Sequence, residues 1–383
     1  MDVKVLILVG GDAVPAQQLA GAPVAFLDVL GEPVLQRVLD RLEHFGVSAS
    51  AVVTDVPLSA APTQRSSFHP GLRWVETQQQ QFWRVAENVF NDFAQANSDI
   101  VLAIRLGPYA ELDFEELIQF HLDKQCRITS VAGPDGEAIG TFAISASRRN
   151  DAAYLFRHEM KEMRTECEPF KHTGYFNPLR EACQFRLLAL DSFAGLNTIA
   201  PRGTEIKPGV WAGRNVRIHP KARVLAPGFI GEHSRVRASS LLTRGTVLEH
   251  HTEVDCGTVV ENSTVLPMTC VGAGLDVTHS VLGFRRIWNL KHGVEVEIED
   301  GKLVGLVRRG PRKVLENTAR LTFFLPKVVS QAALGRRPKP QPELSEAVRR
   351  PAAALKNTAD SNAGEEPLTP ATDLISARRY GNE

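Results

Sequence analysis

Residues 206–271 read IKPGVWAGRNVRIHPKARVLAPGFIGEHSRVRASSLLTRGTVLEHHTEVDCGTVVENSTVLPMTCV. Stepping by six from Ile206 meets Ala212, Ile218, Val224, Ile230, Val236, Leu242, Leu248, Val254, Val260 and Leu266, all aliphatic. In a chain that is 43% hydrophobic, a full track of this length in one register arises by chance at about 10⁻⁴. A second track lies four residues after each: Val210, Val216, Ala222, Gly228, Ser234, Ser240, Thr246, Thr252, Thr258, Thr264 and Cys270, with nothing larger than Val. An inward aliphatic residue and a small corner residue repeating every six positions predict a parallel β-helix, in which three hexads close one triangular coil and coils stack at about 4.8 Å. A β-sandwich alternates with period two and does not preserve period six. After a one-residue slip, Val271 and Val277 continue the stack.

Upstream, VKVLILV at 3–9 is the kind of continuous aliphatic run that is buried on both faces of a parallel sheet. PVLQRVLDRLEHFG spaces Val34, Leu35, Val38, Leu39 and Leu42 as one helix face and stops at Gly46, and SASAVVTD supplies a further strand. FWRVAENVFNDFAQA, DIVLAIRL and DFEELIQFHLDKQ repeat the alternation, so residues 1 to about 150 read as α/β with a mostly parallel sheet. Gly10 and Gly11 close the first strand where a phosphate cradle would lie. No Lys, Arg, Ser or Thr follows directly, and Asp12 repels phosphate. The two glycines therefore read first as a tight turn and second as a vestigial nucleotide loop.

Downstream, GVEVEIEDGKLVGLVRRG alternates with period two around a DG turn and predicts a hairpin capping the coil. From about Lys327 the chain turns to Pro, Ala, Arg and Ser and is expected to be mostly disordered. The expected domains are 1–195 (α/β), 200–282 (hexapeptide coil), 283–326 (capping hairpin and following segment) and 327–383 (tail).

Lys plus Arg and Asp plus Glu number 44 each, so no global field steers the chain toward nucleic acid or an anionic surface. Cys126, Cys167, Cys183, Cys256 and Cys270 show neither CxxC nor metal spacing, which argues against a disulfide scaffold and points to a reducing compartment. With no signal-peptide pattern and no apolar run long enough to span a bilayer, the expected location is the cytoplasm.

An α/β domain followed by hexapeptide repeats resembles the nucleotide-sugar pyrophosphorylases, in particular the mannose-1-phosphate guanylyltransferase and glucose-1-phosphate nucleotidyltransferase branch. The resemblance covers roughly residues 3 to 290. It implies a truncated Rossmann-like, GT-A-like nucleotidyltransferase domain followed by a left-handed parallel β-helix. The family pattern GGxGTRLxPLT followed by PKPLLPVxGKPLL meets GGDAVPAQQLAGAPVAFLDVLGEPVLQRVLDRL here. Its frame survives, but the phosphate-contacting Arg becomes Pro15 and the reactive Lys becomes Val24.

The family's NGD, whose Asp holds Mg²⁺, falls on Arg105, Leu106 and Gly107, and the second metal Asp, in GYWxDIG, falls on Pro178 of GYFNPLR. A long insertion ending in EKP is reduced to PDGEAIG. The family reaction needs Mg²⁺ and cationic groups to stabilise charge on the transferring phosphate, and each lost contact costs about 10²- to 10³-fold in rate. The resemblance therefore implies a catalytically degenerate protein with no catalytic residues, no metal ligands and no cofactor of its own, with Gly10 and Gly11 as the remnant of the nucleotide loop. The expected role is a scaffold or regulator in sugar-nucleotide or surface-polysaccharide metabolism. Expected partners are a second copy or an active paralogue, with a nucleotide or sugar nucleotide as ligand, no nucleic acid and no membrane span.

Two alternatives stay open. One is an active nucleotidyltransferase holding Mg²⁺ through Asp12, Glu111 or Asp113. The other is a hexapeptide acyltransferase using a coil histidine, for which His250 and His251 are better placed than His219 and His233. The QQQQ at 78–81 reads as a helix start, and GFRRIWNLKHG at 283–293 as a capping loop whose Trp288 covers the last coil.

Overall fold

The computed structural model describes residues 1–11, 18–19, 22–56, 72–146, 167–283 and 285–307. The expected tail, Asp12 and Pro15 lie outside them. Met1–Arg308 form one compact unit.

The first half is a mixed α/β layer. Its elements are β1 (Val3–Val9), β2 (Gln18–Leu19), β3 (Ala22–Pro23), α1 (Val34–Phe45), β4 (Ala49–Thr54), β5 (Arg73–Glu76), α2 (Phe82–Gln95), β6 (Ile100–Arg105), β7 (Tyr109–Ala110), α3 (Phe114–Asp123), β8 (Ile128–Ala132), β9 (Ala138–Ser145), β10 (Phe170–Lys171), β11 (Phe176–Asn177) and α4 (Ala182–Phe193). Seven strands form one sheet in the order β10-β8-β9-β6-β1-β4-β5. β1, β4, β5 and β6 run parallel, while β9 runs antiparallel to β6 and β8. PDGEAIG supplies the tight turn between β8 and β9, closed by Gly133 N–H to Glu137 O at 2.8 Å, and then the first three residues of β9.

β1 is buried along its whole length, as a strand covered on both faces must be. α1 and α3 cover one face of the sheet and α2 the other. α1 stops at Gly46, whose φ of 90° only glycine adopts readily. α3 starts at Asp113, whose carboxylate accepts from Glu115 N and Glu116 N.

The second half winds through three parallel sheets in rotation. One face holds Val210–Ala212, Gly228–Ile230, Thr246–Leu248, Thr264–Val265 and Ser280–Gly283; the second Arg217–Ile218, Arg235–Val236, Glu253–Val254 and Thr269–Val271; the third Arg223–Val224, Leu241–Thr243, Val259–Glu261 and Asp276–Thr278. The interior is an aliphatic column that includes Val224, Ile230, Val236, Leu242, Leu248, Val254, Val260, Val265, Val271, Val277 and Leu282.

Three expectations need correction. Ile206 does not point inward: it is 45% exposed on a strand, Thr204–Lys207, that runs antiparallel to Val210–Ala212. The slip falls earlier than expected, as a five-residue step from Val260 to Val265. Val265 therefore fills the column and Leu266 turns outward into the core of the α/β layer. The segment around the DG turn is not a hairpin with itself. Val294–Glu297 pairs with Arg286–Asn289, whereas Val304–Leu306 pairs antiparallel with Thr269–Val271 and places Val304 over the end of the column.

The corner track explains its own chemistry. Ser240 Oγ donates to Asp255 O, Thr246 Oγ1 to Val260 O, and Ser234 Oγ to Glu249 O, each reaching the next coil. A hydroxyl small enough for the corner satisfies a carbonyl that the turn leaves unpaired. Cys126 and Cys167 are disulfide-bonded, while Cys183, Cys256 and Cys270 take part in no disulfide. The Cys126–Cys167 bond removes the ground, drawn from cysteine spacing, for expecting a reducing compartment. No described helix is long and apolar enough to cross a membrane.

Candidate functional site

In open α/β sheets ligands bind beyond the carboxyl ends of the strands, where the connections reverse direction. β1 lies between β4 and β6, so that reversal falls at Gly10, Gly11 and Arg105. Gly10 and Gly11 have φ of 109° and 83°, values that favour glycine. Gly11 N–H donates to Asp55 Oδ2 at 2.9 Å. A Cβ on Gly10 would lie 1.8 Å from Asp55 Oδ1, and one on Gly11 would lie 3.0 Å from the Phe82 ring. The glycines are thus needed because the chain's own side chains press on the turn. An internal carboxylate accepts the N–H that a phosphate would use, and a fully buried aromatic ring backs it.

Arg105 ends β6 on the same face. It is 5% exposed, its guanidinium lies 5.8 Å from the Trp83 ring centroid, and burial lowers its pKa. Its Nε and the Trp83 Nε1 are buried without hydrogen-bond partners. Cation–π attraction to Trp83 is the compensation on view for a guanidinium that forms no ion pair among the described residues.

The two positions matched to metal ligands do come together. β7 pairs antiparallel with β11, with Tyr109 opposite Asn177, so Gly107 and Pro178 flank the same end of the ladder. Neither offers a side-chain oxygen. Of the acids suggested as substitutes, Asp12 lies outside the described residues and the other two make hydrogen bonds: Glu111 Oε1 accepts from Thr198 N at 2.7 Å, from Thr198 Oγ1 and from the Tyr109 hydroxyl, and Asp113 caps α3. These bonds use one oxygen of each carboxylate, Glu111 Oε1 and Asp113 Oδ1, and no group of three or more His, Cys, Asp or Glu side chains placed to hold a metal occurs among the described residues. Glu111 and Asp113 line an open cleft of about 660 Å³ together with Arg37, Arg41 and His44 of α1. Val24 is buried in a 3-10 turn.

The coil histidines separate. His219 is exposed, and its Nδ1 accepts from Lys221 N. His250 sits at the seam with the α/β layer, its Nε2 3.4 Å from Asp28 Oδ2 and its Nδ1 2.9 Å from His251 Nδ1. His251 stacks on His233 at 4.7 Å. Next to them Glu249 is buried and accepts Leu30 N–H at 2.8 Å and Gly31 N–H at 2.9 Å. Burial pushes its pKa up to about 7 against the pull of those two donors and of Arg37. The seam is a joint, with its polar groups turned to each other. Gln79–Gln81 form the 3-10 turn that leads into α2, as a helix start should. Trp288 packs partly buried against the core of the α/β layer, and Arg286 pairs with Glu295 at 2.7 Å.

Sequence reasoning found the two glycines but missed Asp55, Phe82, Trp83 and Glu249. For Asp55 the signal was faint: an acid directly after a buried strand, in VVTD. No family model matches the chain, and no curated protein matches it.

Proposed function

We propose that this chain is a catalytically degenerate relative of the nucleotide-sugar pyrophosphorylases, acting as a scaffold or regulatory partner in sugar-nucleotide or surface-polysaccharide metabolism. Within that reading the α/β layer is the GT-A-like half and the three-faced coil is a left-handed β-helix. The protein works as a homo-oligomer or beside an active paralogue. The observation that carries the reading is the filled cradle: Asp55 holds the Gly11 N–H and Phe82 closes the space behind it. The approach of Gly107 and Pro178 supports it, because the backbone keeps the relation expected of two metal ligands while the ligands themselves are absent.

Cytoplasmic placement belongs to the same proposal and makes Cys126–Cys167 a bond that a reducing milieu opens.

The test mixes purified protein with a nucleoside triphosphate, a hexose 1-phosphate and Mg²⁺ and measures pyrophosphate release. The expected rate equals the protein-free background, and nucleotide produces no saturable thermal shift. Turnover that disappears in Gly11→Asp would overturn the proposal. Light scattering checks the oligomer, and a monomer at micromolar concentration counts against it.

A further inference from the structure

The first two turns of the coil carry charge that the fold leaves uncompensated. Between Pro201 and Gly245 there are nine Lys or Arg and two Asp or Glu, in a chain with 44 of each sign overall. Three of the nine are paired: Arg202 with Glu32 and Asp40, Arg237 with Glu253, and Arg244 with Glu261. Lys207, Arg214, Arg217, Lys221, Arg223 and Arg235 are exposed and form no ion pair among the described residues.

Arg217 stands directly opposite Arg235 in a parallel ladder, about 4.8 Å away at the backbone. Like charges in that relation destabilise a sheet. The next rung offers Glu253, but its carboxylate is bonded to Arg237. Guarding an open sheet edge accounts for Arg217 and Arg223, whose strands end their sheets. It does not account for Arg235, whose strand is paired on both sides.

We propose that these two turns bind an anionic membrane surface peripherally, through Arg214, Arg217, Lys221, Arg223 and Arg235. The shape favours a lipid surface over a nucleic acid. The cations stand on flat sheet faces, Arg217, Arg235 and Arg223 on strands and Arg214 and Lys221 at the corners beside them. Residues 214–223 and 232–241 contain no Phe, Tyr or Trp on which bases would stack. Clusters of this size are attracted to anionic leaflets, each cation strengthening binding about fivefold at low salt. Because the whole chain is neutral, the rest of it carries the compensating negative charge.

Sedimentation of the full chain with vesicles tests this. Vesicles of phosphatidylcholine alone should leave it in solution, and phosphatidylcholine with phosphatidylserine should pellet it at low salt and release it as salt rises. The pair Arg217→Glu and Arg235→Glu should lower partitioning at least about tenfold with an unchanged melting temperature. The same charge change at Lys291→Glu and Lys302→Glu should leave partitioning intact. Should the reversals lower the melting temperature, Arg217→Gln with Arg235→Gln gives the same readout with less repulsion. Binding indifferent to phosphatidylserine, equal loss in the control pair, or tighter binding to duplex DNA than to the vesicles would each overturn the proposal.

Discussion

Gly10 and Asp55 act as a pair, and neither can be understood alone. A methyl group at Gly10 meets the Asp55 carboxylate and also forces a non-glycine residue to φ of 109°. Gly10→Ala is therefore expected to cost about 1–3 kcal/mol in urea unfolding. Asp55→Ala removes the acceptor of the Gly11 N–H but clears the space. The double variant should then be more stable than the two single costs added together, with a coupling of about 0.5–3 kcal/mol. Additive costs would show that the carboxylate does not press on the turn.

Glu249 makes a second residue-scale prediction. Its pKa rises from the ordinary 4.5 to about 7 on folding, so between those values the folded protein keeps a proton that the unfolded chain has released. The stabilisation is complete below the lower value and is lost as pH rises through the upper one. Asp28, His250 and Arg37 also face the seam and are unchanged between the two proteins. Glu249→Gln should therefore flatten only the Glu249 share, so that the melting temperature falls less than in wild type between about pH 5 and pH 8. Equal slopes would remove Glu249 as the cause. The turn at Gly10 was legible because two adjacent glycines after a buried strand have few other uses. Its partner was not, because Asp55 lies 44 residues from the N–H it accepts, and a sequence read locally carries no sign of that pairing.

At the scale of elements, the corner hydroxyls replace the stabilisation that longer strands would give. Thr258 Oγ1 donates to Gly272 O from a fully buried position. Thr258→Val keeps the branched shape but strands that carbonyl, so the expected loss is about 1–3 kcal/mol. Thr204→Val on the exposed first strand should be neutral, and a similar effect at both sites would discount the corner bond. The coil was legible because closure of a three-sided turn fixes the repeat: Arg217 pairs with Arg235, eighteen residues on. The five-residue step from Val260 to Val265 was not, since Leu266 is also aliphatic and satisfies the count equally well. Packing decides between them: Val265 fits the narrow column, while Leu266 reaches the neighbouring layer. The DG segment failed for a related reason. Period two predicts strands, but not which strand each one pairs with.

At the scale of the whole unit, the coil and the α/β layer are joined by contacts that are buried and polar. Arg186 of α4 is 2% exposed and donates to Gly245 O, Thr264 Oγ1 and Asn262 Oδ1 of the coil, and burial lowers its pKa to about 10. Phe229 packs where a Cβ on Gly31 would lie, and Glu249 holds the backbone of the same loop. A joint of this kind couples the two halves, because opening it strands a guanidinium, a carboxyl group and several carbonyls at once. Thermal unfolding of this unit should therefore be a single calorimetric transition with calorimetric and van't Hoff enthalpies in agreement. Arg186→Met leaves three acceptors without their donor and is expected to destabilise by about 2–5 kcal/mol, moving the entire transition down in temperature. If the halves are instead independent, the variant will melt in two steps, or wild type will already show two, and the seam will have to be read as packing without coupling.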